Sequence, residues 1–387
     1  MQFVARRYDN RELVEISTSD ERIARVRPAT SGDDHAHAPW VAPGFFDLQV
    51  NGYLGQEFSS PALTPDKVAQ IVRAHFAFGV TAICPTLTTQ SLDVLGHGVR
   101  AIAASCQSSE DVAHAVLGIH LEGPYFCKDD GARGAHPLEH CRTPNWDEFC
   151  RLQGEAGGRI RILTMSAEFD EAPEFIARAT TSGIIVAIGH TGANSSQIRA
   201  AVDAGAQLST HLGNGAHRML RRHPNYLWDQ MAEDRLVASL IVDGHHLPPE
   251  VVKVMVRAKT PQRVILVSDV SGLAGLPAGR YTSSGCELEI LPDGRLVIAG
   301  QDQLLAGAAL PIGVGVANVM AFAGVNLVTA VEMATVNPAR LMGVPCGGLR
   351  PGDAADLVLF RLAESGPPKL DVLGTILSGK LVYGTAG

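Results

Sequence analysis

The chain contains 387 residues, of which 46% are hydrophobic and 19% charged, and this composition excludes wholesale disorder. Its 32 basic and 40 acidic residues give a net charge of −8, which argues against nucleic acid as a partner because such a surface repels phosphate. No signal-like apolar segment opens the sequence, and the seven cysteines lack Cys-x-x-Cys spacing, so we expect a cytoplasmic protein with reduced thiols.

The two ends of the chain contain short strand-like segments separated by turns. At the start these are MQFVARRY (1–8), RELVEIS (11–17) and RIARVRP (22–28), and near the end DLVLFRL (356–362) and KLDVLGTILSGKLVYG (369–384). Since both ends share this pattern and flank a different middle, we predict a small β-sandwich-like domain built from residues 1–42 and 346–387.

The middle of the chain alternates short apolar, β-branched runs with Ala-rich segments of helical periodicity. The predicted strands are 45–50, 81–87, 116–122, 160–167, 184–190, 207–212, 237–243 and 264–269, with helices such as 65–78, 195–204 and 249–258 between them. Eight strand–helix units with strands apolar on both faces favour an α/β fold, a (β/α)8 TIM-type barrel over residues 43–345.

One uncharged run in the last part of this region, residues 304–328, is long enough to be considered as a membrane span. Pro311, Asn318 and Asn326 interrupt it, which favours a loop followed by a buried helix. We therefore predict no membrane partner.

Four of the predicted strands end in a residue that can bind a metal or move a proton, and in a TIM barrel those ends face the active site. These residues are Glu122, His190, His211 and Asp269. One carboxylate and two imidazoles give a zinc-like ion three protein ligands and leave a position for water, whose pKa the ion lowers. The carboxylate of Asp269 can then accept the proton of this water and deliver it to a leaving amine.

Several segments together resemble the N-acetylglucosamine-6-phosphate deacetylases of the amidohydrolase superfamily. They are PGFFDLQVNG (43–52), HLEGP (120–124), GAHP (134–137), GHTGA (189–193), THLGN (210–214), VDGHH (242–246) and VSD (267–269). The tail segments NPARLMGV (337–344) and LRPGDAADLVLF (349–360) are typical of many amidohydrolases. The resemblance implies metal-dependent hydrolysis of the N-acetyl amide of N-acetylglucosamine 6-phosphate, giving glucosamine 6-phosphate and acetate.

The resemblance also implies roles for individual residues. Glu122, His190 and His211 would hold the catalytic metal, Asp269 would be the acid–base, and His136 would bind and polarise the acetyl carbonyl. We expect one divalent ion per subunit and favour Zn²⁺, while Fe²⁺, Co²⁺ and Mn²⁺ suit the same donors.

The end of the first barrel strand differs from the His-x-His that many amidohydrolases use to bind a second metal. Gln49 and Asn51 stand at these positions, and neither amide is a good zinc ligand. The fourth strand, ending TMSAE (164–168), offers no lysine to bridge two metals. A site for one metal follows better than a site for two.

The resemblance further implies that Asn214, Gly215, Arg222 and His246 bind the sugar phosphate. In this family the arginine reaches across from a neighbouring subunit, so a homodimer is implied. The local sequence RMLRRHP (218–224) is basic within an acidic chain, as an anionic small substrate would require.

The sequence departs from the family pattern at Ala216, His217 and Ala308, all near the expected sugar and phosphate. Two alternatives therefore stay open. One is an amidohydrolase acting on a different N-acyl amino sugar, an N-acyl amino acid or a cyclic amide. The other is a catalytically silent barrel that acts as a binding subunit and holds no tightly bound metal.

Overall fold

The structure, a computed structural model, describes residues 1–29, 38–283, 286–300, 305–363 and 366–385. The strands there are β1 (Gln2–Arg7), β2 (Leu13–Ser19), β3 (Arg22–Pro28), β4 (Trp40–Pro43), β5 (Phe45–Val50), β6 (Gly52–Tyr53), β7 (Gln56–Glu57), β8 (Val80–Thr88), β9 (Ile119–Glu122), β10 (Ile160–Met165), β11 (Ile185–Ile188), β12 (Leu208–Ser209), β13 (Val237–Leu240), β14 (Val264–Leu266), β15 (Gly279–Ser283), β16 (Cys286–Ile290), β17 (Leu296–Ile298), β18 (Leu357–Leu362), β19 (Leu370–Leu377) and β20 (Lys380–Gly384).

The α-helices of these residues lie mainly between the strands of the middle region. They are α1 (Pro65–His75), α2 (Leu92–Ser108), α3 (Glu110–Ala115), α4 (Trp146–Glu155), α5 (Ala172–Thr181), α6 (Ser195–Asp203), α7 (Tyr226–Ala232), α8 (Pro249–Lys259), α9 (Ile312–Ala323), α10 (Leu327–Met333) and α11 (Val336–Met342). The run 304–328 contains α9, and no helix in the described ranges combines the length and apolarity needed to cross a bilayer.

Eight strands form one sheet in the order β5, β8, β9, β10, β11, β12, β13 and β14, and neighbours in it run parallel. Two backbone hydrogen bonds close the sheet into a barrel: the Asp269 N–H donates to the Gln49 carbonyl and the Asn51 N–H to the Val270 carbonyl, both at 2.9 Å. The predicted (β/α)8 barrel is therefore confirmed.

The barrel interior is filled by side chains rather than left as a channel. Leu48, Cys84, Ile162, Leu208 and Ile265 come from five different barrel strands and pack into one buried cluster. Such a filled interior gives the strand ends a rigid support, so residues that follow the strands have fixed positions.

The two chain ends meet in a seven-stranded sheet of order β20, β19, β18, β4, β1, β2 and β3, which confirms the small β-domain predicted from both ends. The β4 strand pairs with β18 through Pro43 and Leu357 and continues through Gly44 into β5. A Cβ at Gly44 would lie 2.1 Å from the Thr81 hydroxyl oxygen, so only glycine fits there. The domain bounds 1–42 and 346–387 stay a prediction, and their residues 30–37, 364–365 and 386–387 lie outside the described ranges.

Some predicted elements differ from the structure. The sixth barrel strand was predicted over 207–212 but covers only Leu208–Ser209, because the backbone turns at His211, whose φ is +29°. The three-stranded antiparallel sheet β15–β16–β17 was not predicted, although the alternation of apolar and charged residues in CELEI (286–290) was an available signal.

Candidate active site

The residues that follow the barrel strands turn sharply at the carboxyl end of the barrel. Glu122 is the last residue of β9, and His190, His211 and Asp269 each follow a strand with φ values of +51°, +29° and +51°. Residues other than glycine rarely adopt this region, which costs on the order of 1–3 kcal/mol and is found most often at functional sites. All four side chains are at least 92% buried.

The three predicted metal ligands meet at one point. The Glu122 Oε1 atom lies 3.2 Å from His190 Nε2 and 3.0 Å from His211 Nε2, and the two nitrogens are 3.2 Å apart. Three separate strands therefore deliver one carboxylate oxygen and two ring nitrogens to a common centre.

The protonation of these groups suits a cation. His190 Nδ1 donates to the Ala132 carbonyl at 3.0 Å, so the neutral ring presents a lone pair on Nε2. Burial favours this neutral form because it lowers the pKa of His190. Burial would raise the pKa of Glu122, yet the imidazoles of His190 and His211 hold it well below its usual value. Burial lowers the pKa of His211, but its contact with the Glu122 carboxylate raises it overall, so a cation would replace a proton on this ring. A charged carboxylate and two imidazoles that converge at one buried point are the donor set of a divalent metal ion.

Two amide side chains, one on the first barrel strand and one directly after it, approach the carboxylates. Gln49, which is buried, donates from Nε2 to Glu122 Oε1 at 3.0 Å, and Asn51 donates from Nδ2 to Asp269 Oδ1 at 2.8 Å. These N–H donors fix both carboxylates. The expectation of a site for one metal stays a prediction.

Asp269 has the electrostatic surroundings of a general acid–base. Burial and the carboxylate of Glu122 raise the pKa of Asp269 to about 6, against the opposing effects of His211, Asn51 and His246. A carboxyl group whose pKa lies near neutrality can both accept and release a proton under ordinary conditions.

The loop after β9 brings His136 to the same centre. Its Nε2 lies 3.2 Å from His190 Nε2, and its ring packs edge-on against Phe126 with centroids 4.7 Å apart. Arg133 donates to the His136 carbonyl at 2.8 Å and so fixes the backbone of the loop. Burial lowers the pKa of His136 to about 3, so this imidazole is neutral.

Comparison with known proteins agrees with this geometry. The amidohydrolase family model matches residues 40–382. N-acetylglucosamine-6-phosphate deacetylases from Homo sapiens and Bos taurus are 34% and 33% identical over 354 residues, which is 89% of this chain and 83% of each relative. The chain belongs to this deacetylase family of the amidohydrolases. An N-acetylgalactosamine-6-phosphate deacetylase from Escherichia coli O157:H7 is 31% identical over 346 residues, 89% of both chains.

Solved structures of the deacetylase family show the same fold. An N-acetyl-D-glucosamine-6-phosphate deacetylase from Mycobacterium smegmatis is 30% identical with a TM-score of 0.87, over 99% of this chain and 100% of that one. A mutant of the enzyme from the same organism, solved in complex with N-acetyl-D-glucosamine-6-phosphate, gives a TM-score of 0.83 at 30% identity over 96% and 94% of the two chains. This member of the family is therefore a hydrolase acting on a linear amide.

Three of the four substrate-binding residues predicted for this family member lie beside the metal ligands or near Asp269. Asn214 donates from its backbone N–H and from Nδ2 to the His211 carbonyl, at 2.9 and 3.2 Å. His246 donates from Nδ1 to Asp243 Oδ2 at 2.7 Å. This hydrogen bond leaves the Nε2 atom of His246 for a ligand.

Gly215 packs against the metal-ligand histidine His190, a structural role that the sequence did not predict. With φ at +57°, it packs on the ring of His190, and a Cβ there would lie 2.6 Å from Nδ1 and 2.7 Å from Cε1. On the same edge of the ring, a Cβ at Gly134 would lie 3.1 Å from Cε1. The two glycines let two loops close over His190, and the GAHP and THLGN segments were the available signal.

Arg222 is the predicted residue that the structure does not bring to the site. It is exposed, and its side chain has no hydrogen-bond or ion-pair partner among the residues the structure describes. In the same loop Met219 is 90% exposed. The side chains of Arg222 and Met219 are therefore open to solvent in a single copy of the chain.

Two further histidines, His217 and His120, make hydrogen bonds close to the site that the sequence did not predict. His217 accepts or donates a hydrogen bond at Nδ1 to the Tyr226 hydroxyl at 3.0 Å and faces Asp129 at 3.8 Å. His120, buried on β9, bonds the Leu48 carbonyl through Nδ1 at 3.0 Å and the Thr164 hydroxyl through Nε2 at 2.7 Å. The two-residue spacing between His120 and Glu122 was a signal that both side chains point into the barrel.

Proposed function

We propose that this protein removes the acetyl group of N-acetylglucosamine 6-phosphate by metal-dependent hydrolysis, giving glucosamine 6-phosphate and acetate. The observation that carries the proposal is the convergence of Glu122, His190 and His211 beside Asp269. In a chain of the deacetylase family, metal-dependent amide hydrolysis requires ligands for the metal and a general acid–base. Glu122, His190 and His211 would be those ligands, and Asp269 would be the acid–base.

The residues act on a water molecule and the N-acetyl group. Glu122, His190 and His211 would hold the metal, which when bound supplies Lewis acidity and lowers the pKa of water. The Asp269 carboxylate accepts the proton of the attacking water while a C–O bond forms at the acetyl carbon. Asp269 then delivers this proton to the amine nitrogen as the C–N bond breaks. Neutral His136 donates a hydrogen bond to the acetyl oxygen as negative charge develops on it.

The phosphate is recognised on the neighbouring loops. We assign the backbone N–H of Gly215 and the side chains of Asn214 and His246 to the sugar phosphate. Arg222 would come from a second copy of the chain, since it is exposed, has no side-chain partner among the described residues of its own chain, and can bind phosphate through two parallel hydrogen bonds. The protein would therefore act as a homodimer.

We further propose that the metal is zinc and that the enzyme works in the cytoplasm. One carboxylate and two imidazoles suit zinc, with iron, cobalt and manganese as competitors for the same donors. Cysteines 84, 106, 127, 141, 150 and 346 are free, which suits a reducing compartment.

Acetate release from a panel of N-acetylated sugars tests the function. We expect rapid release from N-acetylglucosamine 6-phosphate and slow release from N-acetylglucosamine, because the phosphate contacts are lost. The epimeric N-acetylgalactosamine 6-phosphate belongs in the panel because relatives with that activity match the chain at 31% and 30% identity. Equal rates with and without phosphate would contradict the phosphate site. Absence of both turnover and bound metal would favour a silent binding subunit.

A further inference from the structure

Three polar side chains, those of His120, Thr164 and Thr210, form a hydrogen-bonded chain inside the barrel, which we call the polar layer. His120 Nδ1 lies 3.0 Å from the Leu48 carbonyl oxygen, and His120 Nε2 lies 2.7 Å from the Thr164 hydroxyl. The Thr164 hydroxyl in turn lies 2.7 Å from that of Thr210. All three side chains are at least 97% buried, so a group that loses its partner here has no water to replace it.

The direction of these hydrogen bonds follows from the chemistry of the groups. The Leu48 carbonyl can only accept, so His120 Nδ1 carries the ring proton. Neither partner of this buried ring is charged, which disfavours a second proton, so Nε2 accepts from the Thr164 hydroxyl. Because Thr164 has one hydroxyl proton, Thr210 donates to Thr164. The Thr164 hydroxyl both donates and accepts, and its loss would leave two buried groups unpaired.

The polar layer joins strands that do not pair with each other. Strand β8 lies between β5, which carries Leu48, and β9, which carries His120. Likewise, β11 lies between β10, which carries Thr164, and β12, which Thr210 directly follows. Backbone hydrogen bonds in a sheet connect only neighbouring strands. The side chains therefore set distances across the barrel that the backbone ladder does not set directly.

Gly189 lets the two threonines meet across the end of β11. A Cβ at this position would lie 2.7 Å from Thr164 Cγ2 and 3.1 Å from Thr210 Cβ. A larger residue would therefore push the two hydroxyls apart. Gly189 directly precedes His190, so the gap that admits this contact adjoins one of the proposed metal ligands.

The other two proposed metal ligands are also adjacent to the polar layer. Glu122 lies two residues after His120, on the same face of β9, and is opposite Thr164 in the register of β9 and β10. His211 directly follows Thr210. A shift of any member of the polar layer is therefore passed to a ligand through one or two residues of backbone.

We propose that the polar layer positions the metal centre, because it sets the separations between Glu122, His190 and His211 before a metal binds. The inference rests on the metal site of the proposed function and not on its substrate. Ligands that already have the required spacing bind a metal more tightly, since less reorganisation accompanies binding. Loss of the polar layer should therefore weaken metal binding, whereas loss of a buried polar group elsewhere should lower stability alone.

Threonine-to-valine variants test the two hydroxyls, since valine removes the hydroxyl and keeps a branched side chain. The control is Thr375→Val on β19, where a fully buried hydroxyl donates to the Phe76 carbonyl at 2.6 Å. In Zn²⁺ titrations against a chelator, we expect Thr164→Val to raise the Kd about 10-fold, Thr210→Val to raise it less, and Thr375→Val to leave it unchanged. A wild-type Kd in both Thr164→Val and Thr210→Val would overturn the proposal.

A compensating pair of substitutions separates positioning from a general loss of packing. Gly189→Ala should raise the Kd, because its Cβ displaces Thr164. Adding Thr164→Ser should recover part of the loss, since serine keeps the hydroxyl and lacks the Cγ2 atom that the new Cβ meets. The control is Gly154→Ala, where nothing lies within 4 Å of the added atom. A double variant that binds Zn²⁺ no better than Gly189→Ala would contradict the proposal.

His120 is compared with His75, which is equally buried but lies on α1, where its Nδ1 bonds the Ile71 carbonyl at 2.8 Å. Both His120→Leu and His75→Leu should unfold at lower urea concentration, but only His120→Leu should raise the Kd for Zn²⁺. Equal Kd values in the two folded variants would overturn this inference alone; if His120→Leu does not fold, the threonine variants decide. A wild type that neither binds metal nor releases acetate would overturn the proposed function and this inference with it.

Discussion

The metal end of the barrel and the basic loop over residues 218–224 contrast sharply, although both are expected to serve one substrate. At the metal end, Glu122, His190 and His211 are buried and lie within 3.2 Å of one another, all from one chain. In the basic loop, Arg222 is exposed and Met219 is 90% exposed. The set of metal ligands lies within one copy of the chain, whereas we propose that a second copy completes the phosphate site.

This contrast follows from what each part must do. Groups that stabilise a transition state have to be held in place before the reaction, which a filled barrel and hydrogen-bonded carboxylates provide. A phosphate far from the reacting bond needs only a cationic side chain within contact distance. A loop from another copy of the chain can supply this side chain. Changes at the metal end should therefore affect kcat and metal binding, and changes in the loop should affect KM.

The largest effect is expected for Asp269→Asn. The amide cannot carry the proton from water to amine, so we expect kcat to fall by about 10² to 10⁴-fold. Bound metal should stay at one equivalent per chain, because Glu122, His190 and His211 are untouched. Acetate release and metal analysis on the same sample check this, and substantial remaining turnover would contradict the role of Asp269.

A smaller but still large effect is expected for Gly215→Ala. The new Cβ would lie 2.6 Å from His190 Nδ1, so the ring has to shift from its position against Glu122. We expect metal affinity and kcat to fall by about 10–100-fold. The control is Gly183→Ala, where φ is also positive, at +82°, but nothing lies within 4 Å of the added atom. Equal metal affinity in both variants would show that Gly215 does not position His190.

In the loop, Arg222→Gln should act through substrate binding. Loss of one charge-assisted contact of about 1.5–3 kcal/mol corresponds to a roughly 10–100-fold rise in KM for the phosphorylated sugar, with bound metal unchanged. Arg218→Gln, in the same exposed loop, serves as the control.

Mixing variants tests whether the arginine acts across the dimer. Asp269→Asn and Arg222→Gln subunits, each impaired alone, should recover about a quarter of wild-type activity at low substrate after random pairing, since one mixed site per heterodimer is intact. No recovery after verified exchange of subunits would contradict the proposal that Arg222 binds the phosphate in the partner's site.

The smallest effect is expected at the contact between barrel and terminal sheet. His114 Nε2 lies 2.8 Å from Asp356 Oδ2, and this hydrogen bond raises the pKa of His114 above its ordinary value of 6.5. Since the folded state holds the proton more tightly, the stabilisation is complete below pH 6.5 and disappears as the pH rises through the raised pKa. The pair is partly exposed, so we expect less than about 1 kcal/mol.

Urea unfolding of wild type and His114→Gln at pH 6 and pH 8.5 measures this contribution. The variant should be less stable only at the lower pH, while His140→Gln should match the wild type at both. A loss of equal size at both pH values would mean that the histidine contributes through packing and not through its charge.

The positions of the metal ligands and of Asp269 could be predicted from the sequence, because parallel barrel strands bring their carboxyl ends together independently of the loop conformations. Glu122, His190, His211 and Asp269 needed only the correct strand assignment to be placed near one another. The packing of Gly215 on His190 and the contact of His217 with Tyr226 depend on how two loops fold against each other, and no local periodicity encodes that.

The pairing of β4 with β18 has a consequence for how the protein is made. On the ribosome, β1 to β4 emerge first, yet β4 gains its neighbour β18 only when nearly all of the chain has been synthesised. Until then one edge of β4 can pair with another nascent chain, and β4 leads directly into β5, the strand that carries Gln49. Premature termination near residue 350 would thus leave an intact set of metal ligands attached to an open, aggregation-prone sheet edge.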